Sequence, residues 1–152
     1  SEPPDAWAWG KDWRYWCRGR PKRRDGLTRP KRNGKEEPVK HLHYDDVEST
    51  APQEPGAKGV RVRWLITAQD GAPNFAMRHF EVAPGGRTPL HSHAWEHEVY
   101  ILEGEGTVTC EGVQRRFRPG DFLYIAPEEK HCFAADLGQG IRFLCLIPHI
   151  DR

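Results

Sequence analysis

Long apolar runs are missing from this 152-residue chain: the longest, Phe122–Ala126 and Phe143–Ile147, fall far short of the roughly 20 residues that a membrane-spanning helix needs. No helical membrane span is expected. The opening Ser1-Glu-Pro-Pro has neither the basic nor the apolar region of a secretion signal, so no leader is expected and the cytoplasm is the expected compartment. Cysteine is scarce. Cys17, Cys110, Cys132 and Cys145 show no zinc-ligand or redox spacing and are too few to staple a chain of this length, so they read as free thiols. Amphipathic runs of helix length are also absent. What the chain does have is 15 Gly and 13 Pro, with turn signals recurring throughout, which favours a turn-rich all-β domain.

The near-neutral total of +1 conceals an asymmetry. Residues 1–38 hold 11 basic and 6 acidic residues, a net +5, while residues 39–152 hold 12 and 16, a net −4. The first segment has Trp7, Trp9, Trp13, Tyr15 and Trp16 but only Leu27 among Val, Ile, Leu and Met, so it cannot build a core of its own. Glycines and prolines interrupt any helix between Arg14 and Lys35. Residues 1–38 therefore read as an extended basic arm, and residues 39–152 as the folded domain. Such an arm could neutralise phosphates and stack bases of a nucleic acid. The better reading docks residues 5–16 on the domain or a partner subunit through the tryptophans, because exposed large aromatics are costly, and lays residues 18–35 across its acidic surface.

From Val60 onward, short alternating segments are separated by turns. The expected strands are 60–67, 75–83, 88–93, 97–103, 107–111, 113–118, 122–126, 131–134 and 141–147. Connectors such as Pro84-Gly85-Gly86, Gly104-Glu105-Gly106 and Pro119-Gly120-Asp121 supply turn chemistry. About nine short strands without helices imply a sandwich or barrel, since an antiparallel sheet of this kind must close or pair to protect its edges.

All eight histidines lie after residue 38, and three fall in the run His91-Ser-His93-Ala-Trp-Glu-His97. If the backbone stays near-extended across Ala94–Glu96, these three imidazoles share one strand face and Glu96 and Glu98 point away. Three inward imidazoles leave several buried polar groups to satisfy, and a metal satisfies them together.

Two stretches then match a family pattern. Gly85-(x5)-His91-x-His93-(x3)-His97-(x6)-Gly104 resembles the first motif of the cupin superfamily, with His97 where most cupins carry Glu. Gly112-(x6)-Pro119-x-Asp121-(x9)-His131 resembles the second. The run from His91 to Glu98 is similar to that of small, manganese-associated, four-histidine cupins, and the ending Phe143–Pro148 resembles the same group. The resemblance spans about residues 39–148 and implies a double-stranded β-helix, or jelly-roll barrel, with His91, His93, His97 and His131 as ligands of one metal ion. Dimeric members of the family, together with the sheet edges and outer face that so small a jelly roll leaves to cover, point to a homodimer.

Four neutral imidazoles leave a divalent ion with its full charge and, in octahedral geometry, two open positions. That suits a small chelating anion, or a substrate and O₂ side by side. By resemblance the metal is manganese or iron, with nickel, copper, cobalt and zinc chemically acceptable. The leading expectation is a metal-dependent oxidoreductase of dioxygenase type. A redox-neutral isomerase, decarboxylase or lyase is the alternative enzyme, and a small-molecule binding or sensor protein without turnover is the alternative class.

Around the metal, Phe143 and Cys145 are expected inside the barrel, because Arg142 on the opposite strand face prefers solvent. Nothing marks Cys145 as a nucleophile, and Cys132 should face away from the neighbouring His131. Arg78 and His79 point to opposite faces of one strand, so at most one enters the pocket, where it would orient a substrate carboxylate. The pattern does not say which, and Arg78 is carried as a pocket candidate with Phe143, Cys145 and Trp95, although a salt-bridged exposed Arg is the commoner outcome. Trp95 is expected to cap the loop between His93 and His97, shielding the metal or packing at a dimer contact. His41, His43 and His149 read as surface residues.

Overall fold

The structure is a computed structural model that describes residues 39–149, with the backbone of Lys31–Arg32 and Lys35–Glu36 upstream. These two upstream pairs form antiparallel strands β1 (Lys31–Arg32) and β2 (Lys35–Glu36). The expected docking segment 5–16 and its tryptophans lie outside the described residues. The domain proper is built from β3 (Ser49–Thr50), β4 (Lys58–Ile66), β5 (Phe75–Arg87), β6 (His97–Glu103), β7 (Gly106–Cys110), β8 (Val113–Phe117), β9 (Phe122–Ile125), β10 (His131–Ala135) and β11 (Ile141–Pro148). Among the described residues the only helical turns are two short 3-10 segments, Tyr44–Asp46 and Ala68–Asp70. No helix among them is long and apolar enough to cross a membrane.

Strand β11 shows why the sequence closes a barrel. Its residues alternate, with Ile141, Phe143, Cys145 and Ile147 buried, while Arg142 on the other face reaches Glu103 at 3.3 Å. A period of two places every second side chain on one face of the sheet. Nine strands form one curled antiparallel sheet in the order β8-β7-β10-β5-β11-β6-β9, with β4 added on β5 and β3 on β4. The thirteen-residue β5 makes the curl, because it pairs with β4 and β11 along most of its length and meets β10 at its end, Arg87 opposite Ala134. The result is the expected all-β jelly-roll barrel. Inside it Phe80 stacks on Phe143 at 5.0 Å and Phe143 on Phe133 at 5.1 Å. Burying each such ring contributes about 1.5–3 kcal/mol.

Two strand expectations are corrected. Residues 88–93 form no strand, and only His91 makes an isolated bridge to His131. Pro89 has no N–H to offer a ladder, and Thr88 instead clamps Phe133 through its backbone N–H at 2.9 Å and its Oγ1 at 2.8 Å. Conversely, β5 runs through Pro84-Gly85-Gly86, which reads as a turn. Lys58 pairs with Arg87 and Val60 with Val82, so residues 83–86 bulge out of the ladder at the barrel corner. Gly85 there has φ +68°, which glycine adopts at little cost.

Candidate metal centre

His97 opens β6, opposite Ile125 of β9. His131 opens β10, opposite Cys110 of β7. His91 reaches the same place through a reciprocal bridge, its N–H donating to the His131 carbonyl at 3.1 Å and its carbonyl accepting from the His131 N–H at 2.8 Å. His93 lies between, in a loop whose carbonyl accepts from the Glu128 N–H at 2.8 Å. Each of the four residues offers one ligand atom, and these atoms all lie within 4.8 Å of one another. The convergence expected from sequence is present, but by another route. The chain bends at Ala94 and Trp95 instead of staying extended, so a loop and two strand starts, not one strand face, aim the imidazoles inward.

Burial holds three of these rings neutral. Desolvation, helped by the neighbouring histidines His91 and His131, pushes His93 down to about 3. Desolvation likewise pushes His131 down to about 4. His97 is also held well below its ordinary value, by burial first and then by the Arg78 guanidinium. A neutral imidazole is the ligating form, with one nitrogen protonated and the other presenting a lone pair.

The second nitrogen of each ring decides which atom is left for an ion. His93 Nδ1 donates to the Trp95 carbonyl at 2.8 Å, and His131 Nδ1 donates to the Glu129 carbonyl at 2.8 Å. His91 Nδ1 lies 3.0 Å from Glu54 Oε1. Each of these partners accepts, which puts the proton on Nδ1 and the lone pair on Nε2. His97 is different. Its Nδ1 has Cys145 Sγ at 2.9 Å and Arg78 Nη2 at 3.1 Å. The guanidinium can only donate, so the tautomer that leaves Nε2 open needs Nδ1–H to donate to the sulfur, which also receives Arg78 Nη2 at 2.9 Å. Four clustered imidazoles, with His93 Nε2 and His97 Nε2 2.5 Å apart, fit a divalent transition metal that would take up their Nε2 lone pairs, and the all-imidazole donor set adds no charge to offset it.

Of the two candidates on β5, Arg78 is the one that enters the barrel. It is 1% exposed, with its guanidinium over the rings of Trp64 and Phe80 at 5.3 and 5.0 Å, buried where an exposed Arg is the commoner outcome. A planar cation can be buried when aromatic faces and a polarisable sulfur surround it. His79 faces the other side, stacked on Tyr44 at 4.6 Å. Phe143 and Cys145 are buried as expected, and desolvation raises the Cys145 thiol, so it is no activated nucleophile. Trp95 is buried and lies flat on His93, with centroids 4.2 Å apart. His41 and His43 are exposed and His149 is half-buried. Cys110, Cys132 and Cys145 are free thiols.

Glu54 escaped the sequence reading. It lies 37 residues before His91, outside both histidine motifs, and no spacing rule points to it. The only local signal is the turn Glu54-Pro55-Gly56, which fixes its backbone.

Residues 78–147 match the cupin domain family. The chain is 34% identical over 71 residues to a 1-methylthio-D-xylulose 5-phosphate methylsulfurylase of Rhodospirillum rubrum, covering 47% of this chain and 46% of that protein. It thus spans about half of that relative's length. It is 32% identical over 108 residues to the dimethylsulfoniopropionate lyase DddW of Ruegeria pomeroyi, covering 70% of each. Among solved structures, the polyketide cyclase RemF from Streptomyces resistomycificus superposes with a TM-score of 0.69 and 41% identity, over 72% of this chain and 79% of that one. With a jelly-roll barrel, four inward histidines from two motifs and these relatives, the chain belongs to the cupin superfamily.

Proposed function

We propose that this cupin is a metal-dependent enzyme acting on a small anionic substrate that chelates the ion, and that its reaction is redox-neutral, of lyase, cyclase or isomerase type. The observation that carries this reading is the charge of the site. Its four candidate ligands are imidazoles, which add no charge as ligands, and the flanking Arg78 and Glu54 carry opposite charges, so a bound divalent ion would keep its own charge, which favours an anion. When bound, the ion supplies Lewis-acid stabilisation of negative charge developing on a chelated oxygen.

The remaining contributions belong to the chain. Phe80, Phe133 and Phe143 keep water away from the interior, and Trp95 covers the His93 side. Arg78 adds a fixed positive charge. The names of two relatives, a lyase and a cyclase, support a reaction without net oxidation. Manganese or iron is proposed as the metal, on the similarity to four-histidine cupins.

An all-imidazole ligand set also suits iron or manganese in O₂ chemistry, which favours a dioxygenase as the second reading. Protein purified without added metal is to be analysed for metal, then assayed on a panel of β-keto and α-hydroxy acids under air and under argon. Equal turnover in both atmospheres is expected. Turnover only in air would install the dioxygenase reading, and metal-loaded protein inert toward the whole panel would point to a binding or sensor protein.

A further inference from the structure

We infer that Glu54 is a working part of the metal centre, holding His91 in place and setting the ion's affinity through its charge as well as its hydrogen bond. The inference rests on the reading of the four histidines as metal ligands. It concerns a residue outside the matched cupin span of 78–147.

Three observations converge on it. Glu54 Oε1 meets His91 Nδ1 at 3.0 Å. Its side chain is only 9% exposed, although it belongs to the irregular segment between β3 and β4. Its second oxygen, Oε2, is buried with no hydrogen-bond partner among the described residues. Taking a carboxylate out of water for a single hydrogen bond is unfavourable unless a positive charge compensates it. A divalent ion on the far side of the His91 ring provides that compensation, since the carboxylate shares the Nδ1 proton and makes Nε2 a stronger donor.

The local backbone is arranged for this. The Ala57 N–H returns to the Glu54 carbonyl at 3.3 Å, and Gly56 has φ +91°. Pro55 at the second position and a positive-φ glycine at the third define a type II turn, so the carboxylate projects from a fixed corner. His93 and His131 lean on neutral carbonyls, and His97 stands beside a cation. Among the described residues, Glu54 is the one carboxylate hydrogen-bonded to a ligand ring; the Glu129 carboxylate near His131 is taken up by the Ala126 N–H at 2.9 Å.

The test is titration of chelator-stripped protein with Mn²⁺ and Co²⁺, using wild type, Glu54→Gln, Glu54→Ala, His91→Ala and the double variant Glu54→Ala/His91→Ala. Loss of an outer partner of this kind weakens metal binding by about 10–100-fold. Glu54→Ala should fall in that range. Glu54→Gln, which keeps an acceptor but loses the charge, should lie between Glu54→Ala and wild type. In the His91→Ala background, removing Glu54 should change affinity by clearly less than it does when His91 is present. Wild-type affinity in Glu54→Ala, or an undiminished loss without His91, would overturn the inference. Failure of the wild-type protein itself to bind either ion would instead overturn the metal reading on which it rests.

Discussion

His93 and His131 are anchored by the main chain, their Nδ1 atoms donating to the carbonyls of Trp95 and Glu129. His91 and His97 are anchored by side chains, Glu54 for one and the pair Arg78 and Cys145 for the other. The difference separates what the fold guarantees from what the sequence tunes. A carbonyl partner survives any substitution that preserves the backbone, whereas a side-chain partner can be exchanged residue by residue, and with it the charge felt by the ion. The two side-chain anchors also carry opposite charges, so the site grades its ligands from a carboxylate at His91 to a guanidinium at His97.

Acid should strain the main-chain pair. Unfolded histidines titrate near 6.5, while burial holds folded His93 down to about 3 and folded His131 down to about 4. Above pH 6.5 neither state binds the extra protons, and stability is fully present. Below it the unfolded chain gains protons that the folded chain refuses, so stability falls from pH 6.5 until the folded groups titrate. The melting temperature of the metal-free protein is therefore expected to be flat above pH 7 and to decline steadily toward pH 4. Replacing His93 by Ala should make that decline shallower. A melting temperature that rises on acidification would contradict the burial of neutral imidazoles.

A smaller effect should distinguish the His97 anchor. Cys145→Ala removes the acceptor of Nδ1–H and leaves Arg78 facing the ring, which favours the tautomer with the proton on the ligating nitrogen. Metal affinity is expected to drop about tenfold, in the range typical of such outer partners. Cys145→Ser keeps an acceptor and should retain most of the affinity. Equal losses in the two variants, measured by metal titration of stripped protein, would mean that Cys145 acts through packing alone.

Much of this was legible in the amino-acid sequence because strand patterning is local. The alternation in Ile141–Ile147 set the inward face of β11, and it placed Phe143 and Cys145 correctly. Turn chemistry misled at Pro84-Gly85-Gly86, where the residues that make a turn also make a bulge, and only the register against β4 separates the two. Residues 88–93 alternate like a strand, yet Pro89 and the Thr88 clamp prevent a ladder. The four histidines that cluster in the barrel were readable from motif spacing. Glu54 was not, since it reaches His91 from a segment outside both motifs, and the contact of Cys145 with His97 Nδ1 shows only in the folded barrel. Arg78 was undecidable by period alone, because its neighbour His79 is buried as well, under Tyr44.

The central claim is that His91, His93, His97 and His131 hold one ion jointly, and metal stoichiometry tests it most directly. Stripped wild-type protein, reloaded with Mn²⁺ or Fe²⁺ under argon, freed of excess and analysed for metal, should carry one ion per chain. The double variant His91→Ala/His131→Ala, folded by the same circular-dichroism criterion, should carry none. Full stoichiometric metal in that double variant would contradict the account.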